Sequence, residues 1–358
     1  MHPRVAIIYL CHGNLRHLPE VVSSLSKLDY PQEKMTVLMV PNGSPDGIAD
    51  AIKRDVLPRS KKDLPEIILI DDGQNHGFAG GNNLAIRWAL ERDFDYVYLH
   101  NGDLKLHPGA ITAAVQMAES DRSIGSVQSL VLYWDQPDKV NTTGGMIHVG
   151  GYGYARDNGK RRSHLHVTNG EEISYSSGAA VLYRSSALEH VGLLEEGFFM
   201  YHEDLELGLR LKFAGYKNVL CTESITEHDY SFSRNPKKFE WMELYRHVVM
   251  LSYPRWRTLA VLMPILLIVD FGGWFLSLRG GWFGAKMRAE FALTSPKNLK
   301  LILRMRRRAQ RLRVIKDRDW LTLVTGRIED QEQSSPLVEY GNAVIDRMWR
   351  VIRKIIVW

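Results

Sequence analysis

Apolar runs that alternate with helix-forming segments constrain the fold of this chain more than any other feature of its sequence. Four such runs stand at residues 5–10, 35–40, 66–71 and 95–100, and a segment with helical spacing of apolar residues follows each of them. Alternation at this spacing favours a parallel sheet with helices on both faces. The pattern therefore predicts an α/β fold with a parallel sheet flanked by helices.

The loops that follow these strands are polar and rich in glycine. They cover residues 11–14, 41–47, 72–82 and 101–106. In an open parallel sheet, ligands bind beyond the carboxyl ends of the strands, where such loops meet. We therefore expect the four loops to line one crevice.

Two of the loops suit a nucleotide. The segment NHGFAGGNNLAI at 75–86 is a glycine-rich turn that opens a helix, and such a turn lets the backbone approach a phosphate. Its glycines do not fit the dinucleotide-binding pattern G-x-G-x-x-G, so a plain helix cap is an equal alternative. The segment PNGSPDG at 41–47 has the composition of a tight turn, but Asn42 and Ser44 follow the second strand and could contact a nucleotide.

Carboxylates stand at two further points. Asp103 follows the fourth strand, where a divalent cation bound to a diphosphate would need an oxygen ligand, and a turn or a helix cap is the alternative. Glu203 and Asp204 come directly after the apolar run 198–201. Burial beside such bulk raises the pKa of a carboxyl group, which suits a general base, whereas the alternative is a charged first turn of a helix. His228 lies about one strand later, and a structural role is the simpler interpretation of a lone histidine.

Taken in order, these segments resemble the family 2 inverting glycosyltransferases of the GT-A fold, particularly the rhamnosyltransferase-like and galactofuranosyltransferase-like members. The blocks that carry the resemblance are PNGSPDG, GFAGGNN, HNGD, FFMYHEDLELGLR and TEH, within about residues 4–230. The resemblance implies a mixed, mostly parallel sheet flanked by helices, a nucleoside-diphosphate sugar as donor, and one displacement that inverts the configuration at the anomeric carbon.

The resemblance also implies roles for individual residues. The implied donor-binding residues are Cys11, His12, Asn14, Asn42, Asn75, Gly80, Gly81, Asn82 and Asp103. The loop at 11–14 would contact the base and ribose, and residues 80–82 would border the diphosphate. Asp103 would hold Mg²⁺ or Mn²⁺, and His228 matches a histidine that completes the metal site in some relatives. Within the pair Glu203 and Asp204, Asp204 would be the catalytic base.

The chain departs from the family pattern at two positions. Pro41 stands where relatives usually carry an aspartate that helps to grip the nucleoside, so the base of the donor is left open. Asn101 stands where relatives often carry a further acid. Asp103 therefore lacks its usual acidic companion, which predicts weaker metal binding unless His228 compensates.

The chain changes character near residue 238, and we predict a glycosyltransferase domain of residues 1–238 followed by a helical, membrane-associating region of residues 239–358. Residues 231–358 carry 24 Lys and Arg against 11 Asp and Glu, whereas residues 1–230 carry 22 against 30. Residues 136–175 lack strong periodicity and predict a flexible excursion over the sheet.

Three segments of the basic region suit a membrane surface. The apolar segment 259–276 is interrupted by Pro264 and Asp270, which favours a re-entrant or interfacial helix over a full span, with a buried core helix as the alternative. The segment 297–316 predicts a basic helix with leucine and methionine interleaved. The segment 342–358 predicts an amphipathic helix with Trp349 and Trp358 at headgroup level, and its apolar face consists of Val344, Ile345, Met348, Ile352, Ile355 and Ile356.

The apolar residues beside the basic residues indicate which kind of partner the C-terminal region binds. Because the basic residues come with large apolar faces, an anionic membrane surface is favoured over nucleic acid. For the segment 342–358, the alternative is a helix packed on the domain with a solvated basic face.

The cysteine content and the N-terminal sequence indicate where in a cell the protein is located. Only Cys11 and Cys221 are present, so no disulfide framework is expected and a reducing compartment fits. The N-terminus has the pattern of a first strand and not of a signal peptide. We expect a peripheral or monotopic protein at the cytoplasmic face of the cell membrane.

The expected function is transfer of a hexose, with rhamnose as one candidate, from a nucleoside-diphosphate sugar to a hydroxyl of a lipid-linked or other cell-envelope glycan. One alternative is a non-catalytic scaffold that binds sugar nucleotides or glycans, which the missing acids at 41 and 101 would suit. The other is a sugar nucleotidyltransferase, which would need a basic glycine-rich loop after the first strand, where CHGNLRH offers only Arg16.

Overall fold

The computed structural model describes residues 2–230, 235–329 and 336–358. The strands are β1 Val5–Leu10, β2 Met35–Val40, β3 Glu66–Leu69, β4 Tyr96–Asn101, β5 Leu104–Leu106, β6 Ile124–Tyr133, β7 Val140–Thr142, β8 Gly145–His148, β9 Gly153–Ala155, β10 Ala180–Arg184, β11 Lys217–His228 and β12 Val324–Thr325. The α-helices are α1 Leu18–Leu25, α2 Ile48–Ala51, α3 Gly77–Leu90, α4 Ala110–Ser120, α5 Ser185–Val191, α6 Glu203–Phe213, α7 Pro236–Ser252, α8 Trp256–Gly280, α9 Phe283–Leu293, α10 Pro296–Leu312, α11 Asp317–Trp320 and α12 Pro336–Ile355.

One large sheet runs through the first 230 residues in the order β3-β2-β1-β4-β10-β6-β11-β5, with β7 paired to β6. The first four strands pair in parallel, as the sequence predicts. Among the later strands, β6 and β11 are parallel, whereas β10 runs antiparallel to both β4 and β6. The sheet is therefore mixed, and the prediction of a mixed sheet is confirmed.

Each face of the sheet packs on its own set of helices. On β1, Val5, Ile7 and Tyr9 point to a core with α1 and α4, whereas Ala6 and Ile8 point to a core with α3, α5 and α6. This alternation follows from the two-residue period of a strand. Strands β1 and β2 are buried at every position, since both of their faces are covered.

Residues 136–175 are more regular than predicted. They contain β7, β8 and β9, and β8 pairs with both β9 and β12 in a small second sheet. The prediction of an irregular excursion is therefore wrong for these strands. Sequence periodicity failed here because the strands are only three or four residues long and one partner, β12, lies far along the chain.

The C-terminal helices share a core with the small sheet and with α6. This core joins Ile147 and Leu205 to Leu262, Trp320 and Trp349. Trp349 is 2% exposed, and its indole nitrogen donates to the Val324 carbonyl at 3.1 Å. The proposed boundary at residue 238 remains a prediction.

Most of the predicted apolar face of α12 packs on the protein. Ile345, Met348 and Ile352, and Ile356 just beyond the helix, pack in the shared core, whereas Ile355 is 54% exposed. The interpretation of this face as membrane-inserted is wrong for these four residues, because the protein covers them. The alternative, a helix packed on the domain, describes α12.

Helix α8 is continuous from Trp256 to Gly280 and passes Pro264 without a break. It is long and apolar enough to cross a bilayer by length and composition, and 28% of its most apolar window is buried. Leu262 and Ile265 on its inner face are fully buried in the shared core. The helix is therefore not a buried core helix, and its placement relative to a membrane remains a prediction.

Candidate active site

The loops after β1 and β2 are joined by Asp46, a carboxylate that is not among the predicted site residues. Asp46 accepts hydrogen bonds from the backbone of Leu15 at 2.8 Å and of Ile48 at 3.2 Å, and from the Ser44 hydroxyl at 2.6 Å. Burial acts to raise the pKa of Asp46, but these hydrogen bonds outweigh it, so the pKa lies below its ordinary value. The aspartate in the turn PNGSPDG is the sequence feature from which a role for Asp46 could have been predicted.

Asn42 connects the loop after β2 to the start of α3. Its side-chain nitrogen donates to the Gly77 carbonyl at 3.1 Å, and its side-chain oxygen accepts from the His76 backbone at 3.0 Å. Its φ of 52° lies in the left-handed region, which asparagine tolerates better than most residues. The Asn42 amide is therefore engaged within the protein, where it holds the loop after β2 against the start of α3.

The glycine-rich block forms the first turns of α3 and not a loop. Gly77 has a φ of +70°, and a Cβ there would lie 2.4 Å from the Phe199 carbonyl oxygen. A Cβ on Gly81 would meet Leu10 and the Asn42 side chain. The glycines are thus required for close packing of α3 on the strand ends and on the segment before α6.

Two other predicted donor residues shape the same crevice. Asn14 accepts a hydrogen bond from the His12 backbone at 2.9 Å, and its side chain lies against Gly102. Asn75 accepts from the Gly77 backbone at 2.9 Å. His12 is exposed, whereas Cys11 and Asn82 are buried, so Cys11 and Asn82 form the wall of the crevice.

The topology brings Asp103 and His228 together. Strand β5 turns back after Asp103 and pairs with the end of β11, so that Leu104 stands opposite His228. The Asp103 Oδ1 and His228 Nε2 atoms are 3.1 Å apart. Two residues separated by 125 positions in sequence therefore meet at the carboxyl end of β4.

The orientation of the His228 ring is set by its other nitrogen. Nδ1 lies 3.2 Å from the Asn141 side-chain oxygen, which can only accept a hydrogen bond. Nδ1 therefore donates to Asn141, and Nε2 faces the Asp103 carboxylate. One carboxylate oxygen and one imidazole nitrogen this close together fit a divalent metal ion, and an ion pair between Asp103 and a protonated His228 is the alternative.

Electrostatics keep Asp103 charged. Burial acts to raise the pKa of Asp103, but the hydrogen bond and the charge of His228 outweigh it, and the pKa lies below its ordinary value. A carboxylate that is ionised at neutral pH is what a cation ligand requires.

Backbone strain marks the entry to α6. Tyr201 and His202 have φ values of 70° and 67°, both in the left-handed region, although neither is glycine. Such residues cost of order 1–3 kcal/mol each and persist only where the surroundings impose them. His202 is buried, with Nε2 3.2 Å from the Gly151 carbonyl oxygen. The strain fixes the direction in which Glu203 and Asp204 begin the helix.

Asp204 is positioned by backbone donors at the same end of the sheet. Its Oδ2 accepts from the Gly178 backbone at 3.1 Å and its Oδ1 from the Leu205 backbone at 2.7 Å. The neighbouring Ala179 carbonyl accepts from Asn101 at 3.1 Å, which places Asp204 and Asp103 beside adjacent strands. Burial raises the pKa of Asp204 above its ordinary value, although its backbone hydrogen bonds oppose the shift. This combination suits a general base.

Glu203 lacks the backbone donors that hold Asp204. It is 4% exposed, and among the described residues its Oε2 atom has no hydrogen-bond partner. Burial first, and then the charge of Asp204, raise the pKa of Glu203 well above its ordinary value. Both effects favour the neutral form of Glu203, which makes Asp204 the better candidate for the base.

A second group of metal-type ligands lies among α7, α8 and α9. Glu243, His247, Asp270 and Glu290 bring ligand atoms within 4.8 Å of one another. The buried ammonium of Lys286 already occupies this group, at 2.6 Å from Glu243 and 2.9 Å from Glu290. The buried Arg246 guanidinium adds a second cation at 2.8 Å from Glu243. The group is an ion-pair network that joins three helices and does not fit a metal.

Comparison with known proteins agrees with this architecture. The family described as glycosyltransferase like family 2 matches residues 2–243. An N-acetylglucosaminyl-diphospho-decaprenol L-rhamnosyltransferase of Mycobacterium tuberculosis is 28% identical over 242 residues, which cover 62% of this chain and 75% of that protein. The rhamnosyltransferase WbbL of Escherichia coli is 25% identical over 158 residues, 40% of this chain and 58% of the relative.

Solved structures share the fold at low identity. A mannosyltransferase from Pyrobaculum calidifontis, in complex with GDP-Man and Mn²⁺, has a TM-score of 0.50 and 15% identity, over 100% of this chain and 86% of that one. Residues 1–349 of S. aureus TarS, in complex with UDP, have a TM-score of 0.52 and 14% identity, over 98% of this chain and 90% of that one. The chain therefore has the GT-A fold and belongs to glycosyltransferase family 2.

Proposed function

We propose that the chain transfers a hexose, with rhamnose as the first candidate, from a nucleoside-diphosphate sugar to a hydroxyl of a polyprenyl-diphosphate-linked glycan, with inversion at the anomeric carbon. The observation that carries the proposal is Asp204, a half-buried carboxylate with a raised pKa, held by two backbone donors beside the Asp103 and His228 pair. The relatives named rhamnosyltransferase support the sugar, and the decaprenol-linked substrate in the name of one of them supports the acceptor.

The proposed reaction needs one proton transfer and one displacement. Asp204 takes the proton of the acceptor hydroxyl as its oxygen forms a bond to the anomeric carbon. The bond between that carbon and the diphosphate oxygen breaks, and the nucleoside diphosphate leaves. A single displacement at one carbon inverts its configuration. Burial raises the pKa of Glu203 and favours its neutral form, so Glu203 would line the site while Asp204 takes the proton.

Asp103 and His228 would hold the divalent cation. When bound, the cation neutralises charge that develops on the leaving diphosphate. Asn141 fixes the orientation of the His228 ring, so that Nε2 faces the position where the cation would bind. A mixed set of one carboxylate and one imidazole suits Mn²⁺ better than Mg²⁺, whose ligands are nearly all oxygen.

The donor would lie across the loops after β1, β2 and β4. His12 and Asn14 would contact the base and ribose, and the start of α3 would border the diphosphate, although the backbone N–H groups of Gly77 and Phe78 are already bonded within the protein. Cys11, Asn42, Asn75, Gly80, Gly81 and Asn82 would support this surface from behind, since their described contacts lie within the protein. With Pro41 in place of an acid, the loop at 41–47 would contact the nucleoside through its backbone.

Donor screening tests the proposal. Purified protein would be incubated with Mn²⁺, a short-chain prenyl-diphosphate N-acetylglucosamine and each of a panel of nucleotide sugars, among them the thymidine, uridine and guanosine forms. We expect one donor to give a new glycolipid, and we expect the Asp204→Asn variant to lose this product. No product from any donor, in the presence of metal and acceptor, would favour the non-catalytic scaffold instead.

A further inference from the structure

Helix α10 carries a row of cations on its outer face. Lys297, Lys300, Arg304, Arg307 and Arg311 recur at alternating spacings of three and four residues, which places them along one side of an α-helix. The opposite side, with Leu301, Ile302 and Met305, is buried in the shared core. We call these five residues the cationic stripe.

Most of the stripe has no acidic partner within the part of the chain that the structure describes. Arg304 pairs with Glu195 at 2.6 Å and remains 63% exposed on its side chain. No ion pair involves Lys297, Lys300, Arg307 or Arg311 among the described residues. Together with Arg87 and Arg308, part of the stripe borders a cavity of about 940 Å³ whose acids, Glu195 and Glu196, are already paired with arginines. The stripe is thus a surface with a surplus of positive charge.

Exposed apolar side chains accompany the stripe. Leu299 and Leu303 lie between its cations and are 48% and 52% exposed. Beside them, the Arg306 guanidinium covers the ring of Trp256 at 3.7 Å, and Trp256 is the first residue of α8. This contact joins α10 to the start of α8, where the outer face of α8 begins.

That outer face is an apolar ridge. Its large exposed side chains are Met263, Leu267, Ile268, Phe271, Phe275 and Leu278. Apolar residues that enter the acyl boundary, next to cations at the depth of the phosphates, match the surface of a bilayer with anionic headgroups. Nucleic acid would match the stripe but leave the ridge uncovered.

The inner face of α8 excludes a full span. Asp270 faces inward, where it contacts His247 at 3.0 Å and Lys286 at 3.3 Å. Leu262 and Ile265 are fully buried against the rest of the protein. For lipid to surround α8, this core and this ion-pair network would both have to be broken.

We propose that the α10 stripe and the α8 ridge form one membrane-binding face, which holds the protein on an anionic bilayer with α8 lying in the interface. The inference rests on the proposed function, because this face would set the crevice where a lipid-linked acceptor is presented. It replaces the α12 helix, whose apolar face is covered, as the anchor.

Vesicle sedimentation of the full chain tests this proposal. The probes are phosphatidylcholine vesicles with and without phosphatidylglycerol. The stripe variant is Lys300→Glu with Arg307→Glu, and the ridge variant is Phe271→Ser with Phe275→Ser. The control is Lys27→Glu with Lys62→Glu, two exposed cations of the N-terminal half that give the same change in net charge.

We expect the stripe variant to bind anionic vesicles at least about tenfold more weakly and the control to bind like the parent protein. We expect the ridge variant to lose binding to both kinds of vesicle. Equal binding by all variants would overturn the proposal, as would protease mapping that finds the two ends of α8 on opposite sides of a vesicle. Circular dichroism checks that each variant is folded.

Donor hydrolysis in the absence of vesicles separates this proposal from the proposed function. Neither the stripe nor the ridge touches the crevice, so we expect all variants to hydrolyse the donor at the parent rate. Loss of vesicle binding with intact hydrolysis supports the membrane face. If the parent protein binds vesicles but transfers no sugar, the membrane-binding face is supported and the proposed function is contradicted.

Discussion

The two carboxylates of the crevice, Asp103 and Asp204, lie beside adjacent strands but in opposite electrostatic settings. Asp103 faces an imidazole, which holds its pKa below the ordinary value. Asp204 is buried at the start of a helix with neutral backbone donors as partners, and its pKa is raised. The difference shows that residue type alone does not determine whether a carboxylate binds a cation or acts as a base. A carboxylate kept charged suits a cation, and a carboxylate with raised proton affinity suits a base.

The hydrogen-bond partners of Asp103 and Asp204 come from different parts of the sheet, which keeps the two electrostatic environments separate. Asp103 receives its imidazole from β11 through the β5 pairing, whereas Asp204 receives donors from the segment before β10. Each setting is therefore built by a different part of the sheet, so a substitution at one carboxylate should leave the other intact. The predictions below use this independence, beginning with the largest expected effect.

Removal of the base should have the largest effect. Asp204→Asn keeps the size of the side chain but cannot accept the proton, and we expect the transfer rate kcat to fall by about 10³-fold. The concentration of Mn²⁺ that gives half-maximal activity should not change. Steady-state kinetics measures both quantities, and Glu223→Gln, an exposed acid on β11, is the matched control. Transfer at the parent rate would remove Asp204 from the reaction.

Removal of the cation ligand should have a smaller effect of a different kind. Asp103→Asn should lower activity by about 10²-fold at limiting Mn²⁺, because the leaving diphosphate loses its neutralising charge. Higher Mn²⁺ should recover part of the activity, which it cannot do for Asp204→Asn. Asp135→Asn, an exposed acid in the loop after β6, serves as the control. An unchanged response to Mn²⁺ in Asp103→Asn would contradict the assignment.

The orientation of His228 should matter less than the ligands themselves. Asn141→Ala removes the acceptor that fixes Nδ1, and we expect metal affinity to fall by about tenfold while saturating Mn²⁺ restores the rate. Isothermal titration of Mn²⁺ in the presence of nucleoside diphosphate measures the change. A lower rate that saturating metal fails to restore would mean that Asn141 has a merely structural role.

Glu203 should matter least. Glu203→Gln mimics a carboxyl group that is already neutral, and we expect kcat to change by no more than about threefold. Because the pKa of Asp204 is raised, activity in both proteins should fall with decreasing pH at values above the ordinary range of an aspartate. A pH profile of kcat/KM tests this. A large loss in Glu203→Gln would exchange the roles of the two residues.

Much of the catalytic half could be predicted from the sequence. The first four strands, the crevice at their ends, and the candidates Asp103 and Asp204 follow from local apolar patterns and from the resemblance. The contacts that set their chemistry could not be predicted, because Asn141, Gly178 and His228 reach the site through pairings between distant strands. The same holds for Asp46, whose partners lie on a different loop.

In the C-terminal half, prediction from the sequence was limited for a different reason. An amphipathic pattern states that one face of a helix is apolar, but it does not state whether protein or lipid covers that face. For α12 the cover is the protein, through contacts such as Trp349 with Val324. For α8 the pattern was interrupted by Asp270, which the structure explains as an inward ion pair with Lys286 and Arg246. Both outcomes depend on residues remote in sequence.

The central claim is that Asp204 deprotonates the acceptor for a single displacement. Nuclear magnetic resonance of the isolated product, made from a nucleotide sugar of known anomeric configuration, tests it most directly. The account predicts that the new glycosidic bond has the configuration opposite to that of the donor. Retention of the donor configuration would require two displacements or attack from the leaving-group side, and it would contradict the role assigned to Asp204.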